Sequence, residues 1–98
     1  MRYLLVVYGS THEAMQADYA LAQAGFGAYM IVPLPTGISA GCGIAIRIEW
    51  PQARRAVEVL RGEGCLGRLY ASADGLQWQQ MDEAALNDVG EADVEQAG

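Results

Sequence analysis

Residues 3–13 run Tyr3-Leu4-Leu5-Val6-Val7-Tyr8-Gly9-Ser10-Thr11-His12-Glu13, and how they are read decides the fold. The first six form a short apolar run, rich in β-branched and aromatic side chains and closed by a glycine, which is the pattern of a buried central strand. Ser10 to Glu13 then have capping-box spacing. Ser10 is expected to accept from the backbone N–H three residues on, and Glu13 to reach back to the Ser10 N–H. Strand therefore passes straight into helix, predicted from about Thr11 to Ala24 with Ala14, Ala17, Leu21 and Ala24 inward and Gly25 as the stop. Arg2 ahead of an apolar run superficially suggests a signal peptide. The run is brief and no A-x-A cleavage site follows, so strand is the better reading.

Working outward, Tyr29–Val32 reads as a second strand broken by Pro33 and Pro35, and 34–43 as a long loop rich in Pro, Gly and Ser. Ile44-Ala45-Ile46-Arg47-Ile48-Glu49 alternates with period two, a half-buried strand with the isoleucines inward. Pro51 suits the first position of a second helix whose stripe is Ala53, Ala56, Val57 and Leu60, and Gly62 and Gly64 end it. Leu66–Ser72 is a fourth strand. Ala73-Asp74-Gly75 is a hairpin signal leading to a fifth at Leu76–Gln80. A short helix is expected over Asp82–Val89, followed by a disordered acidic tail over 91–98.

The order predicts an α+β fold: a ferredoxin-like βαββαβ sandwich, strand order 4-1-3-2, with a C-terminal β-hairpin extension and the tail. The domain would span 1–73, the hairpin strand and short helix 74–90. In this topology Thr11, His12, the loop around Cys42 and Cys65 gather at one edge of the sheet.

Apolar residues make up 52% of the 98 and charged ones 18%, which is globular composition. The net charge is −6, all six cations are arginine, and none lies beyond Arg68, whereas seven acidic residues follow it without a cation. A lysine-free acidic chain is a poor match for phosphate backbones or anionic membranes, so neither nucleic acid nor membrane is an expected partner. No apolar run reaches membrane-spanning length. With no targeting segment read, the expected compartment is the cytoplasm, where thiols stay reduced.

Cys42 sits between Gly41 and Gly43, neighbours that remove bulk and are expected to leave the sulfur approachable. Two readings stand for it. One is a reactive thiolate facing the partial positive charge of the first helix's N-terminus; the other is a small hydrophobe filling a loop. His12, the one histidine, either shuttles a proton to Cys42 or caps and packs. Cys65 is a candidate resolving thiol or a packing residue. Ser10, Thr11, Ser39, Gly41, Gly43 and Arg47 are the candidate binding residues. For Arg47 the alternatives are a salt bridge to Asp18 or Glu49, an anionic partner, or solvation. Two cysteines and one histidine fall short of a zinc set, so no metal is expected.

Ser10-Thr11-His12, Ala14, Pro33-x-Pro35, Ile38-Ser39 and Cys42-Gly43-x-Ala45-x-Arg47 resemble the signature of the putative selenium/sulfur carrier-like family over about residues 3–72. The chain departs from it at Thr36 and Gly37, where a basic and an acidic residue are usual, and at Asp18 in place of a glutamate. The resemblance implies that Cys42 holds selenium or sulfur as a perselenide or persulfide, received from a donor protein and passed to an acceptor. No cofactor beyond that transient adduct is implied, and the role is a carrier's more than a self-sufficient enzyme's. Two alternatives come from other classes: a small-ligand-sensing or protein-interaction module with a structural Cys42, and a dithiol redox protein using Cys42 and Cys65. A homodimer through the open sheet face is compatible with each.

Overall fold

Every residue from Leu4 to Tyr8 is buried, and this follows from where the first strand, β1 (Tyr3–Val7), lies. The structure is a computed structural model and describes residues 1–86. β1 occupies the middle of a five-stranded antiparallel sheet, flanked by β3 (Ile44–Glu49) and β4 (Arg68–Ser72). β2 (Tyr29–Pro33) pairs with the far side of β3, and β5 (Gln79–Met81) with the far side of β4, so the order is β2-β3-β1-β4-β5. The first four strands thus succeed one another as 4-1-3-2. The fifth, the strand expected of the hairpin extension, extends the sheet past β4, and the whole is a mixed α/β fold.

Helices α1 (Thr11–Gln23) and α2 (Trp50–Gly62) pack on one face of the sheet. Leu4, Val6 and Tyr8 face them with Ile46, Ile48, Leu69 and Ala71, and the helices contribute Ala14, Ala17, Leu21, Ala53, Val57 and Leu60. Complete burial of each large aliphatic side chain is worth about 1.5–3 kcal/mol. Ala20 joins this face, whereas Ala24, expected there, is exposed because the chain has already left the helix. Both helices end in Schellman geometry. Gly25 (φ 80°) and Gly64 (φ 71°) take the left-handed position, and Phe26 and Cys65 donate N–H groups to Leu21 and Leu60 carbonyls.

The second sheet face was expected to lie open. Part of it is covered: Leu34, Ile38 and Ala40 of the loop between β2 and β3, together with Trp78, pack on Leu5, Val7, Ala45 and Tyr70. The loop folds back because its apolar residues have a hydrophobic stripe to land on. β4 begins two residues later than expected. β5 begins three later, because Asp74 builds a wide turn. Its Oδ1 accepts the N–H groups of Leu76 (2.8 Å) and Gln77 (3.0 Å) and the Ser72 hydroxyl, which hold the carboxyl below the usual range. Beyond β5, residues 83–86 are helical, with Asp82 Oδ1 accepting the Ala85 N–H at 3.0 Å. Glu83 there pairs with Arg61 of α2 and Leu86 is buried. The remainder of the expected helix, to Val89, and the expected tail lie outside the described residues.

Candidate functional site

β1 ends at Val7, and the turn Tyr8–Ser10 hands the chain to α1 at the edge where the loop from β2 returns to β3. Ser10 caps α1, its Oγ accepting the Glu13 N–H at 3.2 Å. The reciprocal half of the box is displaced by one residue: Glu13 Oε2 accepts the Gly9 N–H at 3.1 Å, not that of Ser10. The turn is thereby pinned in a position that lets the loop touch it. Gly41 lies directly against it, and a Cβ there would collide with the Gly9 carbonyl oxygen. So Gly41 is glycine for close backbone approach, whereas a Cβ on Gly43 would meet open space.

That close approach seats Cys42 inside. Contrary to the expectation of an approachable sulfur, the residue is 1% exposed and belongs to the core between sheet and helices. Gly41 brings the loop down onto Gly9, and the side chain that follows it turns inward. Its Sγ–H donates to Thr11 Oγ1 at 3.7 Å, in the first turn of α1. N–H groups in a first helical turn have no carbonyl four residues back and carry partial positive charge. The pair Cys42–Thr11 therefore combines a sulfur, a hydroxyl and a helix N-terminus under a loop lid.

The lid is held from the far side. Arg68 donates to the Ser39 carbonyl at 2.8 Å and to the Tyr70 hydroxyl at 3.2 Å. Ser39 thus contributes its backbone. Arg68 is the residue that sequence reasoning missed. Its spacing of two from Tyr70, on one strand face, was the available signal.

His12 does not join Cys42. It is exposed on the outer side of α1 and shares a surface groove of about 410 Å³ with Met15, Gln16, Tyr19, Glu63 and Cys65. A histidine one position after Thr11 is turned some 100° around the helix, away from the sheet. Cys65 is half-buried, and burial, followed by the nearby Glu63 charge, pushes its thiol up. Its carbonyl accepts the Tyr8 hydroxyl at 2.7 Å, which ties the end of β1 to the end of α2. Both cysteines are free thiols. Arg47 lies at the other end of β3. It stacks over the Tyr3 ring at 4.7 Å and points Nη2 at Met30 Sδ at 3.2 Å, rather than pairing with Asp18 or Glu49. Asp18 accepts the Tyr29 hydroxyl instead, at 2.8 Å. The edge therefore assembles two distinct groupings, Cys42–Thr11 beneath the lid and His12–Cys65 outside it.

The family model described as "Putative Se/S carrier protein-like" matches residues 3–68, which take in both groupings. No curated protein and no solved structure matches the chain. No helix of the described residues is long and apolar enough to cross a membrane.

Proposed function

The chain belongs to the putative Se/S carrier protein-like family, and from that premise we propose that it carries selenium or sulfur on Cys42. The observation that carries this reading is the sulfur held at the first turn of α1 against the Thr11 hydroxyl. In loading, the Cys42 thiolate attacks the terminal sulfur of a donor persulfide. A new S–S bond forms at Cys42, the donor's S–S bond breaks, and the donor sulfur leaves with the electron pair as a thiolate. No net oxidation occurs, and the reverse step on an acceptor thiol delivers the cargo; the selenium case is the same exchange with a Se–S bond. Before the attack, the Thr11 hydroxyl, turned to donate, and the helix N-terminus stabilise the Cys42 thiolate.

Burial of Cys42 gives the lid its role in this reading. Closed, it shields the adduct from water and from stray thiols; loading and delivery require it to lift, breaking the Arg68–Ser39 contact. Partners are then a chalcogen donor and an acceptor protein, in the reducing cytoplasm where free thiols persist.

A second reading is favoured by one observation, the 1% exposure of Cys42. It makes the cysteine a core residue of a ligand-binding or interaction module. Incubation with cysteine persulfide followed by intact-protein mass spectrometry separates the two. The carrier gains one sulfur atom, retains the gain in Cys65→Ser and loses it in Cys42→Ser. No gain on folded protein, or a gain that survives Cys42→Ser, overturns the carrier reading.

A further inference from the structure

Arg47 and Glu49 stand two residues apart on β3, so their side chains leave the same face of the sheet from Cα atoms about 7 Å apart. Tyr3 shares that face, opposite Glu49 in the β1–β3 ladder, and so does Met30, opposite Arg47 in the β2–β3 ladder. The lid and Trp78 pack elsewhere on it, on Leu5, Val7, Ala45 and Tyr70. These four side chains and the backbone at Gly27 and Ala28 line a surface groove of about 410 Å³. Small-molecule sites commonly measure about 300–1,000 Å³. The groove lies at the end of β3 away from the Cys42 loop, and no step at Cys42 uses it.

Two opposite charges line this groove without neutralising each other. Arg47 and Glu49 form no ion pair with one another or with any other described residue. The guanidinium is fixed from two sides, over the Tyr3 ring and against Met30 Sδ, to which Nη2 donates. A thioether is a weak acceptor, and a guanidinium carries five N–H donors. The others make no hydrogen bond to a described residue. A planar fork held in this way matches a carboxylate through two parallel bonds. Glu49 is exposed, and although it precedes α2 as the cap residue its side chain makes no capping bond. A simple anion such as phosphate would meet Glu49 as well as Arg47, on a chain of net charge −6. A ligand with a carboxylate and an ammonium on one carbon satisfies both groups.

We propose that this groove binds a free, zwitterionic α-amino acid. Its carboxylate sits on the Arg47 fork, its ammonium on Glu49, and an apolar or thioether side chain runs along Met30. Gly27 supplies the room. Its φ is not left-handed and a Cβ there would meet nothing within contact distance. The backbone therefore does not require glycine at this position, and the missing side chain leaves the groove open. A peptide end carries one of the two charges, never both on one carbon, and would leave either Arg47 or Glu49 unanswered. The inference holds whether Cys42 carries cargo or packs in the core.

Titration of the full chain with L-methionine, followed through the amide shifts of Tyr3, Gly27, Arg47 and Glu49, tests this. Saturable shifts are expected in the millimolar range. N-acetyl-L-methionine stands in for a peptide C-terminus and L-methioninamide for an N-terminus. Each should bind at least about tenfold more weakly, having lost a hydrogen bond to a charged group. Glu49→Gln is expected to weaken methionine yet strengthen N-acetylmethionine, because the same carboxylate holds an ammonium and repels a lone anion. Arg47→Gln should abolish the binding of both. Gly27→Leu, whose side chain enters open space, should block the groove and is the second variant should Arg47→Gln fail to fold. Absence of saturable shifts with methionine overturns the inference, as does undiminished binding in folded Gly27→Leu. Equal or tighter binding of a capped form assigns the groove to a peptide end and overturns it too.

Discussion

At the scale of single residues, Cys42 and Cys65 differ in access. Cys42 is sealed beneath a loop, whereas Cys65 opens onto a groove with its thiol pushed up by burial and by Glu63. On native protein, iodoacetamide is expected to modify Cys65 first, at a rate that keeps rising through and beyond the ordinary thiol range of about 8.5. Cys42 should react only as the lid opens, so Arg68→Ala, which releases the Ser39 carbonyl, should accelerate Cys42 and leave Cys65 unchanged. Mass spectrometry of the two tryptic peptides reads both rates. Unaltered Cys42 labelling in that variant would mean the Arg68 contact does not hold the lid. Gly41→Ala, which forces a Cβ onto the Gly9 carbonyl, is expected to cost about 1–3 kcal/mol, as overpacking typically does. A urea melt within a few tenths of wild type would show that the turn yields instead.

At the scale of elements, α1 is where local chemistry and site geometry meet. Ser10 satisfies one donor of its first turn, and Glu13 reaches past it to Gly9, so a single capping arrangement both starts the helix and fixes the turn against which Gly41 lies. Ser10→Ala is expected to lose about 1 kcal/mol in chemical denaturation. The local consequence should be looser packing of the lid, seen as faster Cys42 labelling than in a variant equally destabilised away from α1. If only stability changes, the cap serves the helix alone. At the other ends, Gly25 and Gly64 occupy the left-handed turns that let Phe26 and Cys65 fold back on their helices.

At the scale of the whole molecule, two phenols join parts distant in sequence. Tyr8 donates to the Cys65 carbonyl 57 residues on, and Tyr29 to Asp18 of α1. Burial pushes both phenols up, with the Asp18 hydrogen bond and charge adding to Tyr29, which reaches about 12. An unfolded tyrosine ionises near 10. A group whose folded value is raised contributes stability that is fully present below the unfolded value and lost as pH climbs toward the folded one. Stability should therefore hold to about pH 10 and fall between there and about 12, with a shallower fall in Tyr29→Phe. Urea melts at a series of alkaline pH values check this, and a flat profile would refute it.

Much of this was legible in the chain alone. The apolar run at Tyr3–Val7, the Ser10 cap, the alternating isoleucines of β3 and the glycines closing both helices are local patterns, and they determined the elements and the succession of the first four strands. The edge at which Thr11, the Cys42 loop and Cys65 assemble followed from that topology. What the sequence could not carry was orientation. Whether a glycine beside Cys42 opens the sulfur or lowers the loop depends on a backbone contact with Gly9, 32 positions away. His12 and Thr11 are adjacent in the chain, yet helical rotation sends one to solvent and the other to the sulfur. Covering of the second sheet face, the partners of Arg47 and the clamp by Arg68 were likewise decided only when distant segments packed. Contacts of that kind leave no periodic trace along the chain.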